Sequence, residues 1–82
     1  MENKIHIGEL VKAQFEKRGC TVSWLARQLN CDRSNIYDIF KRGSVDTNRL
    51  YDICKALDYN FFAILADNFA KAQADSNKLT EN

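Results

Sequence analysis

The sequence predicts an all-helical fold. Three observations carry that reading: proline is absent, glycine is limited to Gly8, Gly19 and Gly43, and apolar residues recur at spacings of three and four. Eighty-two residues make one domain, near the lower limit for a self-sufficient core. No apolar run approaches the roughly 20 residues that span a bilayer. The opening "MENKIHIGEL" lacks the apolar stretch and cleavage site of a signal peptide, so the expected location is the cytoplasm.

Helix one is predicted over about residues 5–18, with Ile7, Leu10, Val11 and Phe15 on one face and Gly19 as its stop. Thr21 caps helix two by accepting from the amide of Ser23 or Trp24. Val22, Leu25, Ala26 and Leu29 then form a buried stripe, and Trp24 lies a step off it. Asn30 tolerates the left-handed conformation of a tight turn, Cys31 points back to the core, and Asp32 caps helix three. Helix three spans about Arg33 to Lys41 and ends near Gly43. Helix four starts near Asp46 or Thr47 and runs to Leu57, burying Leu50, Ile53, Cys54 and Leu57. Asn60 caps helix five, expected over about 61–71, and the polar tail 72–82 is expected to fray. The domain is therefore drawn as 1–71.

Cys20, Cys31 and Cys54 are odd in number, widely spaced and in no CxxC pair, and the sole histidine, His6, is remote from them in sequence. Neither a zinc site nor a disulfide framework is expected. The thiols are read as buried small hydrophobes. No metal, cofactor or small-molecule effector is implied.

"LARQLNCDRSNIYDIFKRG", Leu25 to Gly43, joins an apolar capped helix to a short helix with a polar outer face through a tight break. That describes a helix-turn-helix over about 21–42. The chain resembles the Cro/phage-repressor type of helix-turn-helix, the XRE family. Gly19, Leu25-Ala26, Leu29-Asn30-Cys31, Ile36, Ile39 and Gly43 carry the resemblance, with "LYDICKALDYNFF" from Leu50 to Phe62. It covers about residues 5–66 and is nearest a subgroup with "NIYDIFKR" in helix three. The resemblance implies a compact five-helix bundle of the phage-repressor-like DNA-binding fold. Two positions depart from the pattern. Val22 stands where many members place a phosphate-contacting Gln. Phe15 and Phe40 stand where a buried Arg–Glu pair often links helices one and three, and an apolar contact can replace such a pair without loss of stability.

The net charge is only +1, a weak footprint for a DNA binder, but its distribution is uneven. Residues 21–45 balance to +2 and residues 46–82 to −2. Against Ile36 as the core-facing position, Ser34 and Asp38 lie nearly opposite, with Tyr37 and Lys41 beside them. Arg33, Ser34, Asn35 and Asp38 are the expected base-reading residues. Arg33 leads them, because its forked donors match guanine O6 and N7. Asp38 accepts from cytosine N4, or is neutralised by Arg42 four residues on, or orients Arg33; the Arg42 pairing or the Arg33 orientation is expected over direct base reading. Thr21, Ser23, Tyr37, Lys41, Arg42 and Asn48 are expected at the DNA backbone, with Tyr37 alternatively packed against the end of helix two.

Helix five carries more apolar groups than a small core needs. Phe62, Leu65, Ala66 and Phe69 are the expected homodimer interface, the alternative being that Phe69 folds back onto helix one. A two-fold dimer sets two recognition helices roughly 34 Å apart on a near-palindromic operator. The resulting expectation is a sequence-specific transcriptional regulator of double-stranded DNA that acts as a repressor. The alternative is an antitoxin-like interaction module with autoregulatory DNA binding. One histidine, no carboxylate cluster, no glycine-rich phosphate loop and no nucleophile motif argue against an enzyme.

Overall fold

The computed structural model, which describes residues 5–80 and side chains through residue 73, consists of five helices among those residues: α1 (Ile7–Lys17), α2 (Val22–Gln28), α3 (Arg33–Lys41), α4 (Thr47–Leu57) and α5 (Phe61–Thr80). α3 packs on α1 and α2, and α4 packs on α1. Val11, Leu25, Ile36, Ile53, Leu57 and Phe61 are the largest fully buried side chains, so every helix sends at least one into a common core. Phe15 and Phe40 meet across α1 and α3 with ring centroids 5.1 Å apart, a tilted aromatic contact at the positions where the resembled family often sets an ion pair. Trp24 is half-buried against the edge of this core.

Short polar side chains start three of the helices. The Thr21 hydroxyl accepts from the Trp24 amide at 3.1 Å, the Asp46 carboxylate from Arg49 at 2.7 Å, and Asn60 Oδ1 from Ala63 at 3.2 Å. Asp32 differs from expectation: it occupies the cap position of α3, yet its side chain makes no capping bond. The Asp32 carbonyl accepts from Asn35 there instead, so the backbone turn closes without the carboxylate. Thr21→Ala should therefore cost about 1 kcal/mol in a denaturant melt, and Asp32→Ala less. Equal losses would contradict these cap assignments.

Helix ends follow a common geometry. Gly19 at φ 70°, Asn30 at φ 56° and Asp58 at φ 53° each turn the chain left-handed after α1, α2 and α4. Past each turn the next amide reaches back into the helix: Cys20 to Phe15, Cys31 to Ala26, and Tyr59 to Cys54. The left-handed Asn30 is the tight break between α2 and α3.

α1 begins against the exit of α3. The Ile7 amide donates to the Gly43 carbonyl and the Gly8 amide to the Arg42 carbonyl, both at 2.8 Å. His6 Nδ1 accepts from Glu9 at 3.1 Å, so three donors that a helix start leaves open are satisfied. Gly8 is buried there, and the approach is close because it has no side chain: a methyl carbon at Gly8 would lie 2.6 Å from the Arg42 carbonyl oxygen and nearer still to those of Ile39 and Phe40.

Two further expectations need correction. The cysteines are free but half-buried rather than buried, because Cys20 and Cys31 sit at helix-end turns and Cys54 faces the start of α5. Helix five does not end near residue 71; its backbone is helical to Thr80. The segment "AKAQADSNK" contains neither glycine nor proline and is rich in good helix formers, so nothing local breaks the helix. From Phe69 to Gln73 every side chain is exposed, so α5 has left the core by that point.

Candidate nucleic-acid interface

α3 is held from behind and open in front. Ile36 is fully buried and Ile39 nearly so, while Arg33, Ser34, Asn35, Tyr37, Asp38 and Lys41 are all exposed. With 100° between successive residues, Ser34, Asp38 and Lys41 point most directly away from the core. Arg33 stands at the N-terminal end, where backbone amides and the helix dipole add positive potential. The Tyr37 ring is 53 % exposed and leans edge-on toward Phe40, 6.5 Å between centroids.

Asp38 and Arg42 both line a cleft of about 250 Å³ between α3 and the start of α4, together with Asn35, Ile39, Val45, Asp46 and Arg49. The expected Asp38–Arg42 ion pair is not formed. Arg42 is the residue after α3 and has already turned extended, at φ −84° and ψ 138°, so the pair lacks a continuous helical turn to align it.

The proposed backbone contacts fall on three separate starts and ends. Thr21 is exposed at the cap of α2 and Ser23 in its first turn, Lys41 and Arg42 at the exit of α3, and Asn48 in the first turn of α4. Thr21 spends a lone pair on its cap and keeps its hydroxyl proton free to donate. Asn48 lies outside the α3 cleft, in a neighbouring depression with Leu29, Asn30 and Asp52. On α5, Phe61 enters the core, Phe62 and Leu65 are half-buried against it, Ala66 is exposed, and Phe69 is 65 % exposed. Phe69 does not fold back onto α1.

Sequence reasoning missed Arg49. It is half-buried, and its Nη1 donates to the Leu29 carbonyl at 3.2 Å across twenty residues of sequence. No local spacing rule links α4 to the end of α2. Among the described residues no group of three His, Cys, Asp or Glu side chains is arranged to hold a metal ion, and no helix is long and apolar enough to cross a membrane.

A sequence model of the Cro/C1-type HTH DNA-binding domain matches residues 11–68, and the chain belongs to that family. The match takes in the whole of α2, α3 and α4. Among solved structures the chain is similar to the crystal structure of a tyrosine-to-phenylalanine mutant of the restriction–modification controller protein C.Esp1396I. The TM-score is 0.63 at 21 % identity, over 89 % of this chain and 96 % of that one, which is a likeness of fold. No protein of curated function matches the sequence.

Proposed function

We propose that this protein is a sequence-specific transcriptional regulator, a repressor that occupies a near-palindromic operator as a homodimer. The observation that carries the reading is the two-sided character of α3: Ile36 and Ile39 in the core, and Arg33, Ser34, Asn35, Asp38 and Lys41 exposed together on its outer side. A helix of that kind, mounted on a second capped helix, enters the major groove by its N-terminal residues. Arg33 reads guanine through a bidentate pair, and Ser34, Asn35 and Asp38 complete the base contacts. Thr21, Ser23, Tyr37, Lys41, Arg42 and Asn48 hold the phosphates. Occupancy of the site, with no chemical step, is the mode of action.

The exposed Phe69 ring, in line with Phe62 and Leu65 on α5, supports the dimer. A ring of that size in water favours burial against a second copy. The antitoxin-like reading draws on the same helix, whose exposed stretch through Gln73 is also available to a different protein.

The test is selection of bound duplexes from a random pool, with sedimentation of the free protein. The expected product is an inverted repeat with half-sites about one helical turn apart, bound by a dimer. Phe69→Asp should shift the protein toward monomer and weaken operator binding while leaving the helical melt intact. A wild type that enriches no sequence would refute the regulator reading and favour the interaction module. A protein monomeric both free and on its site would refute the dimer.

A further inference from the structure

Two features of the turn between α2 and α3 leave a carbonyl to be accounted for. The left-handed Asn30 lets the Asn30 and Cys31 amides close onto the Arg27 and Ala26 carbonyls. Leu29, the last residue before that turn, directs its own carbonyl out of this local pattern, and Arg49 of α4 takes it at 3.2 Å. The bonds of Thr21, Asp46 and Asn60 are local caps three residues long, whereas this one ties the turn of the DNA-binding unit to a different helix. Arg49 also lines the cleft whose other wall carries Asn35, Asp38 and Arg42 of α3 and its exit. Its backbone is fixed in turn, because the Arg49 amide donates to the Asp46 carboxylate at 2.7 Å.

We infer that Arg49 is a specificity-determining residue that touches no base: it is a positioning residue that fixes the angle of α3 by clamping the α2–α3 turn to α4. A planar guanidinium on a half-buried side chain, held by a carbonyl, loses less freedom per hydrogen bond than a flexible ammonium would. Arg33, Ser34, Asn35 and Asp38 reach base edges only if α3 enters the groove at one orientation, so loosening the turn blurs all base contacts together. Phosphate contacts, which follow charge more than angle, are affected less. The inference rests on the DNA-binding reading above.

Its test compares wild type, Arg49→Met and Arg49→Lys. Met preserves the length of the stem and removes the donors, while Lys keeps one donor for the Leu29 carbonyl. Each variant is put through duplex selection, a salt titration on the wild-type site and on random DNA, and amide hydrogen exchange. Arg49→Met should lower the ratio of specific to random binding by on the order of tenfold, the scale of a single mismatched base pair, with the preference weakened at several positions of each half-site. It should also speed exchange of the Asn30 and Cys31 amides, and Arg49→Lys should recover much of both. A salt dependence that becomes shallower by about one unit per half-site would make Arg49 a phosphate contact and overturn the inference. An unchanged sequence profile in Arg49→Met would overturn it too, with the DNA-binding reading left standing. Wild-type binding without any sequence preference would overturn both.

Discussion

Gly8→Ala should destabilise this protein more than alanine at either of its other two glycines. The new carbon meets three backbone carbonyls of the α3 exit, and backbone oxygens cannot rotate aside as a side-chain tip can. α1 must lift off α3, which breaks the Ile7–Gly43 and Gly8–Arg42 hydrogen bonds and disturbs the Phe15–Phe40 contact. Overpacking at about 1–3 kcal/mol and two hydrogen bonds at roughly 1 kcal/mol each give a loss of about 3–5 kcal/mol. For a domain of this size that lowers Tm by roughly 15 °C or more. The other glycines provide the contrast. At Gly19 the added carbon meets nothing within 4 Å, and only the left-handed φ of 70° penalises it, by about 1–2 kcal/mol. At Gly43 the nearest atom is His6 Cδ2 at 3.9 Å, an ordinary contact, so Gly43→Ala should be close to neutral. Thermal melts of the three variants check the ranking. A Gly8→Ala protein that melts with the wild type would contradict the close α1–α3 approach.

The second large effect is on binding. Lys41→Ala together with Arg42→Ala removes both cations from the exit of α3, which in the proposed dimer amounts to four proposed phosphate contacts. At roughly 0.2–1 kcal/mol for each exposed cation, affinity should fall by about 100-fold. The fall should be nearly the same on the selected site and on random duplex, because the proposed role of these residues is to meet phosphate charge and not sequence. The slope of log K against log salt should become shallower by about 3–4 units, at about 0.9 for each phosphate no longer neutralised. Salt titrations by fluorescence anisotropy measure both quantities. A loss confined to the selected site would mean that the exit of α3 reads bases. The Gly8 and Arg42 results are linked, since the carbonyl of Arg42 is anchored on α1 while its side chain faces the cleft.

Much of this fold was legible in the residues, and the reason is that the legible parts are local. Thr21, Asp46 and Asn60 precede apolar periodicity and cap the helices they precede, while Asn30 stands where only a left-handed residue closes the turn. Ile36 and Ile39, three apart, show which side of α3 is buried, and that leaves the opposite side as the candidate for DNA. What escaped depends on partners far along the chain. Gly8 reads as a weak point inside a helix until the α3 exit is laid against it. Arg49 reads as one more surface cation on α4 until the Leu29 carbonyl is found at its tip. Asp32 has the right type and position for a cap, yet the backbone closes without it. Asp58 turns left-handed after α4 although neither glycine nor asparagine marks the spot. The length of α5 escaped for a different reason: a polar stretch suggests a stop, but helix formers such as Ala, Lys and Gln carry a helix on without any apolar stripe.

The central claim is that the exposed face of α3 reads sequence, with Arg33 at its leading end. The most direct measurement is duplex selection carried out in parallel on wild type and Arg33→Ala. A bidentate Arg–guanine pair discriminates between bases by roughly 1–3 kcal/mol, so the variant should lose its preference at one base pair in each half-site and keep it at the others. Arg33 is exposed and lies outside the core, so the variant should melt with the wild type. If Arg33→Ala enriches the same sequences with the same preference at every position, Arg33 is not a reader and this assignment of the recognition face is wrong.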